Sequence, residues 1–360
     1  MSTPAVSPAS GKPPFSLARI RQRHPLVTFL AGRILTMAIM LFLLGLGVFG
    51  LMSLSPGDII DNYARSRLLQ TSGFQSNTNT LTDAQILEAK HRLWLDRPFY
   101  AQYFHWLHQV FVEHDLGRSL ISRAPVLYLV GTRMLNSIIL NVLSLVFITI
   151  ASFALGLYFS SKAGTRVDPV VAFGSIFLNA FPGILLLILL QMFASATGIF
   201  PVTAYPSDTF EGKPLAFTFS YLYHIILPLI GAFLGSIGGE LRLIRATMLD
   251  QLGQPYIMAL RSRGIAERRI YFNHAFRNTM NPFITSSSTL LADLFSGSLI
   301  LEIIFSYPGI GRLMYEAVIN KDINLVLTNL MFTSALILVG MLLSDVALAL
   351  VDPRIRYSNQ

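Results

Sequence analysis

The sequence contains no cysteine. Disulfides, thiolate zinc sites, iron–sulfur clusters and cysteine nucleophiles are therefore excluded. Charge is scarce too: Asp, Glu, Lys and Arg make up 13% of the chain, against about 25% in a soluble globular domain. No phosphate-binding loop of the GxxxxGK[ST] form occurs, because Gly11-Lys12-Pro13 lacks both the spacing and the hydroxyl. No HExxH pattern and no nucleophile–base pair stands out, so neither a metalloprotease nor another membrane enzyme is indicated.

What fills the chain is apolar. Of its 360 residues 53% are hydrophobic, and the mean hydropathy is +0.57. A hydrocarbon layer of ~30 Å needs about 20 apolar residues per helix. Six stretches meet that need, near Ile34–Leu54, Asn136–Ser160, Pro169–Ala194, Ser220–Leu241, Pro282–Phe305 and Asn324–Val351. They are continuous rather than alternating, which predicts helices and not barrel strands. The first run is longer than the ~7–15 residues of a signal-peptide core, and Ser55-Pro56-Gly57-Asp58 stands where a cleavage site would be.

Charge placement predicts the orientation. Residues 1–33 hold Lys12, Arg19, Arg21, Arg23 and Arg33 with no acid. The connection after the fourth run holds Arg242, Arg245, Arg261, Arg263, Arg268, Arg269 and Arg277 against Asp250 and Glu267. Residues 195–219 and 306–323 lack such an excess. The positive-inside rule then puts both termini in the cytoplasm of a multi-pass cell (inner) membrane protein. The expected organisation is a basic arm over 1–33, a six-span domain over 34–351 and a tail over 352–360. Within the domain lie an outer loop, 55–134, and a cytoplasmic loop, 242–281.

Four acids fall in or at the ends of the runs: Glu240, Asp293, Glu302 and Asp345. A carboxylate in the membrane costs several kcal/mol, so it normally faces the bundle interior or water. One reading is a polar translocation path, with Asp293 and Glu302 as its candidates. The other is helix packing, favoured for Glu240 and Glu302 because both lie near span ends.

The most informative segment is Gln254–Pro282. Pro255 suits the first position of a helix, Tyr256–Arg263 holds good helix formers, and Gly264 suits a left-handed stop. A second helical stretch is expected from Ala266 toward Pro282. A short helix outside the membrane with a fixed turn on each side can seat in a cleft of a soluble partner. It can equally be a basic loop held at anionic lipid headgroups.

This segment resembles the cytoplasmic loop of binding-protein-dependent ABC permeases. Gly264 matches that loop's glycine, and His274-Ala275-Phe276-Arg277-Asn278 and Pro282 match its later part. Met258, Ala259 and Leu260 stand in its Glu-Ala-Ala positions, so only the central alanine is kept. Further segments resemble the oligopeptide/dipeptide/nickel class: Pro56-Gly57-Asp58, Leu95-Asp96-Arg97-Pro98, Asp115-Leu116-Gly117-Arg118-Ser119, Glu302–Gly311 and Asp352-Pro353-Arg354. The resemblance implies an all-α membrane protein, a type I ABC importer permease-like bundle with a coupling helix. It implies partners: a second permease subunit, two cytoplasmic ABC ATPases that use the ATP, an extracytoplasmic binding protein and a peptide substrate. This chain resembles the first permease of the pair and needs no cofactor of its own. The residues implied to couple to the ATPases are Met258, Ala259, Leu260, Arg261, Ser262, Arg263, Gly264, His274 and Pro282. Nucleic acid is not among the implied partners. A nickel or other small-solute importer shares the scaffold, and an ion-gradient-driven secondary transporter is the reading outside the family.

In the outer loop Phe99, Tyr103, Trp106, Leu107, Val110 and Phe111 fall at helical spacing. They predict an amphipathic helix on the outer membrane surface or over the permease mouth. His105, His108 and His114 with Glu113 offer metal donors, but they are read as hydrated interface residues.

Overall fold

The computed structural model describes residues 25–54, 96–207, 214–280 and 299–351, together with Leu87, His91, Trp94 and Phe283. Among them the chain is helical, with only an isolated bridge between Arg118 and Pro125. In chain order the helices are α1 (Pro25–Leu54), α2 (Phe99–Phe111), α3 (Val126–Ser160), α4 (Val167–Ala180), α5 (Gly183–Thr197) and α6 (Pro214–Leu252). Then follow α7 (Pro255–Ser262), α8 (Glu267–Arg269), a π-helical turn (Ile270–Ala275) and α9 (Phe276–Thr279). The last three are α10 (Leu299–Ile304), α11 (Ile310–Ile319) and α12 (Ile323–Val351).

Four helices, α1, α3, α6 and α12, are long and apolar enough to cross a membrane. The third expected span, Pro169–Ala194, is not one rod. It is the pair α4 and α5, bent by 96° at Phe181-Pro182. Proline excludes its predecessor from the helical region, and Phe181 is extended, with φ −73° and ψ 132°. Two helices of 14 and 15 residues are about 21 and 22 Å long, each too short alone. Tilted equally about that bend, they rise together by about 29 Å, close to one hydrocarbon thickness. Most of the fifth expected span, Pro282–Phe305, lies outside the described residues, and with it Pro282 and Asp293.

The sequence also understates two helices. α3 begins at Val126 rather than near Asn136, and α6 runs from Pro214 to Leu252 rather than from Ser220 to Leu241. Arg133 interrupts the apolar run at the start of α3, and Arg242, Arg245 and Asp250 interrupt it at the end of α6, yet the helices continue through them. Pro228 lies inside α6 without ending it.

α6 is the centre of the bundle, and small residues let its neighbours approach. A Cβ on Gly238 would lie 2.5 Å from Ser175 O and 2.9 Å from Asn179 N, so the backbones of α4 and α6 touch there. Gly231 receives Leu187 of α5, and Gly156 of α3 receives Ile244 of α6. This is how helices associate where lipid removes the hydrophobic drive between them. The core between these helices gathers Leu140, Leu187, Ile225, Leu227, Leu301 and Phe305.

At one end of the bundle, the α2 end, α2 buries Tyr103 and Trp106 against Phe49 of α1 and Ile323 and Leu327 of α12. Tyr103 donates a hydrogen bond to Phe42 O at 3.0 Å. The expected apolar stripe is thus a packing face in its middle, although Phe111 is 73% exposed and does not join it. At the opposite end, the α7 end, Arg245 of α6 pairs with Asp168 of α4 at 2.5 Å.

Candidate functional site

α7 starts as the sequence predicts. Gln254 is its extended N-cap and Pro255 occupies the first turn. It stops at Arg263, and Gly264 takes the left-handed conformation at φ +72°. Ile257 is fully buried, and Tyr256 and Leu260 pack beside it on Met248, Ile270 and Ala275. The opposite face carries Met258, 60% exposed, with Ala259, Arg261, Ser262 and Arg263, all open to solvent. The helix is therefore clamped by one side and offered by the other. Leu260, grouped with the coupling residues from the sequence, belongs to the clamped side.

Three links hold α7 and the turn that follows it. Asn278 Nδ2 donates to Tyr256 Oη at 3.1 Å, and Tyr256 Oη donates to Gln251 Oε1 at 3.0 Å. Tyr271 Oη is hydrogen-bonded to Ser160 Oγ and donates to Leu157 O, which joins the π-helical turn to the end of α3. Burial raises the Tyr271 phenol above its ordinary pKa, so it stays a protonated donor. Arg261 spans the Gly264 turn to Glu267 with bonds of 2.7 and 3.3 Å. Those bonds raise the Arg261 pKa further. The π-helical turn, a form frequent at functional sites, holds the half-buried His274. Phe272 and Asn273 of that turn, with Ala266, Arg268 and Arg269 just before it, line an open groove of about 470 Å³. The surface is apolar at Met258 and cationic around it, which suits a cleft with an acidic rim.

Glu302 is fully buried at the α2 end. Ser137 Oγ donates to its Oε1 at 2.6 Å, and the Arg312 amide donates to its Oε2 at 2.9 Å. The Ile310 amide in turn donates to Ser137 Oγ at 2.8 Å. The carboxylate lies on the N-terminus of α11, where negative charge is favoured. A Cβ at Gly309 would collide with it. Glu302 is thus a brace between α10, α11 and α3. Glu240 is half-buried on α6. The side chain of Asp345, like Asp293, lies outside the described residues.

The sequence reading missed two partners. Ser137 carries no charge and sits in an apolar run, so nothing marks it. Asp322 falls in the polar connection over 306–323 and yet is buried. It accepts from Ser119 Oγ at 2.5 Å, from the Leu120 amide at 2.9 Å and from the Leu325 amide at 3.2 Å. An aspartate directly before an apolar run is a helix-start signal and would have found it. The histidines of the outer loop have other partners: His105 stacks on Trp94 at 4.1 Å, and His108 Nδ1 faces Glu113 at 3.3 Å. Among the described residues no three His, Asp or Glu side chains form a metal-binding group.

Residues 148–357, which include α7, match the family model described as binding-protein-dependent transport system inner membrane component. The oligopeptide transport system permease protein AppB of Bacillus subtilis (strain 168) is 29% identical over 284 residues, covering 77% of this chain and 88% of that protein. The inner membrane ABC transporter permease protein YejB of Escherichia coli O157:H7 is 31% identical over 280 residues, 76% of this chain and 77% of that one. The glutathione transport system permease protein GsiC of Escherichia coli (strain K12) is 27% identical over 338 residues, 92% of this chain and 100% of that one. An all-helical bundle with apolar spans, an offered helix at one end, and a family match reaching from α3 past α12 lead to one assignment: the chain belongs to the inner-membrane permease components of binding-protein-dependent transport systems.

Proposed function

We propose that this chain is one of two permease subunits of an ATP-driven importer of short peptides. The carrying observation is α7, clamped by Ile257 and presenting Met258, Ala259, Arg261, Ser262 and Arg263. In this reading α7 lies in the cytoplasm and seats in a cleft of a partner ATPase. Gly264 fixes its end, while His274 and Pro282 belong to the turn that carries it back to the membrane. Both termini are cytoplasmic, the spans number six, and Asp293 is a candidate residue of the path. ATP is bound and hydrolysed by two partner ATPases and not by this chain. A second permease completes the path, and an extracytoplasmic binding protein delivers the cargo.

Peptide as the cargo is supported by the relatives whose names state a substrate, oligopeptide for one and glutathione, a tripeptide, for another. The test is purification of the tagged chain in mild detergent, identification of co-purifying proteins, and reconstitution in liposomes with labelled di- and tripeptides. Recovery of a second permease and two ATPases, with ATP-dependent peptide uptake, is expected. Uptake by the chain alone, driven by a proton gradient and indifferent to ATP, would overturn the proposal. Uptake of nickel but not peptide would keep the assembly and discard the cargo.

A further inference from the structure

The bend between α4 and α5 sits in the middle of a span. α4 enters at the α7 end, where Asp168 pairs with Arg245. α5 reaches the α2 end, where Gln191 Nε2 donates to Ile304 O at 2.6 Å. The pair therefore crosses the bundle rather than turning back. Its two arms are nearly equal in length, so Phe181-Pro182 lies about 15 Å from either face of the hydrocarbon layer.

A break at that depth strands backbone groups. Phe177 O accepts from the Phe181 amide, and Pro182 O accepts from the Leu186 amide. Between them, the carbonyls of Leu178, Asn179 and Ala180 and the amides of Gly183, Ile184 and Leu185 have no backbone partner among the described residues. Asn179, Ala180, Pro182 and Gly183 are exposed. Such backbone does not face lipid: at membrane depth it occurs where protein covers it or where it lines a water-filled cavity.

α6 faces the break without closing it. Gly231, Gly235 and Gly238 share one side of α6. Gly231 receives Leu187 of α5, and Gly238 meets Ser175 and Asn179 of α4. Between these two contacts Gly235 is exposed, with nothing within 4 Å of its Cβ position. The bend thus leaves a notch against α6. Its edge is polar. Asn179 Oδ1 lies 3.4 Å from the Cβ position of Gly239. Ser236 is exposed, and Glu240, one turn on, is half-buried. Neither Asn179 nor Glu240 has a side-chain hydrogen bond or ion pair among the described residues. A carboxylate within a span faces water or the bundle interior.

We propose that the α4–α5 break and the α6 stripe 235–240 beside it form this chain's wall of an aqueous path, and that cargo passes against Asn179, Ser236 and Glu240. Stranded carbonyls and amides offer acceptors and donors together, which suits a hydrogen-bonding solute and not an apolar one. The proposal rests on the import reading for the identity of that solute, a peptide.

The chain contains no cysteine, so single cysteines in it report without background. Asn179→Cys, Ser236→Cys and Glu240→Cys are placed in the transporter assembled with its partner subunits in proteoliposomes. Phe173→Cys is the control, at a residue 72% exposed on another side of α4. The rate of modification by a water-soluble methanethiosulfonate is read on this chain by mass spectrometry. An apolar environment suppresses the reactive thiolate, so the three sites should react about tenfold faster than the control. Triglycine supplied with ATP should slow the reaction. Ser236→Cys is nearly isosteric and carries the test if Asn179→Cys does not assemble. Rates no faster than the control at all three sites would overturn the proposal and mean that protein covers the break. In a preparation that takes up triglycine, fast rates that triglycine leaves unchanged would overturn it as well. Uptake by the unsubstituted transporter separates the two readings: uptake with unreactive cysteines sinks this path and leaves peptide import standing, whereas fast labelling without uptake of any peptide discards the import reading alone.

Discussion

Replacing Gly238 by alanine tests whether the bundle is held by close helix approach. The added Cβ would lie 2.5 Å from Ser175 O and 2.9 Å from Asn179 N. A relaxed carbon–oxygen contact is roughly 3.3 Å or longer, so α4 must retreat by about 0.8 Å. Both obstacles are backbone, and no rotamer change removes them. A gap of that size forfeits a quarter to a half of the dispersion attraction of the contacts it opens, and overpacking of this kind costs about 1–3 kcal/mol. Alanine gains about 0.5–1 kcal/mol over glycine in a helix interior. The net expectation is a loss of about 0–2.5 kcal/mol. Gly235 lies one turn away with nothing within 4 Å of its Cβ position, so Gly235→Ala should keep the helical gain alone. The assay is the thermal unfolding midpoint of the two variants in the same detergent, followed by transport in the assembled complex. If Gly238→Ala melts at or above Gly235→Ala, the close contact between α4 and α6 does not carry the stability claimed for it.

Three more outcomes are expected. Glu302→Ala strands the Arg312 amide and Ser137 Oγ in a buried site and should cost about 2–4 kcal/mol. Glu302→Gln keeps one acceptor and should recover part of that, measured by unfolding midpoint and uptake together. Gly264→Val forces a branched residue into a left-handed conformation with no steric neighbour to blame; a penalty of about 1–2 kcal/mol at the end of α7 should lower uptake about tenfold while ATP hydrolysis by the complex persists. Uptake and hydrolysis falling together would speak against a coupling role. Asp322→Ala removes the acceptor that holds Ser119, Leu120 and the first turn of α12, so limited proteolysis should cut within 117–122 faster than in the unsubstituted chain.

Much of this molecule is legible in its sequence, for identifiable reasons. Long apolar runs report helices because lipid leaves the backbone no other way to satisfy its hydrogen bonds. α7 is legible because Pro255 and Gly264 are punctuation marks with fixed backbone meanings. The break at Phe181-Pro182 was legible in principle, since a proline flanked by apolar residues is a broken helix as readily as a kinked one. Hydropathy averaging hides it, and Pro228 in α6 shows that proline alone does not decide. The role of Glu302 was out of reach. Its partner Ser137 is 165 positions away, and its other partner is a backbone amide, which has no letter in the sequence. The apolar-only stripe on α2 failed at Phe111 for a related reason: spacing tells which residues share a face, not where the neighbouring helix ends.

The length of α6 has a mechanical consequence. Its 39 residues make a rod about 58 Å long, nearly twice the thickness of the hydrocarbon layer. From Pro228 to Leu252 the lower arm measures about 36 Å, and α7 hangs from its tip through Gln251 and Tyr256. A rotation of about 10° at Pro228 sweeps that tip sideways by about 6 Å, roughly one helical pitch. α6 is in this sense a crank. Small adjustments among the packed glycines near its pivot and large excursions of the helix at its foot are the same motion seen at two radii.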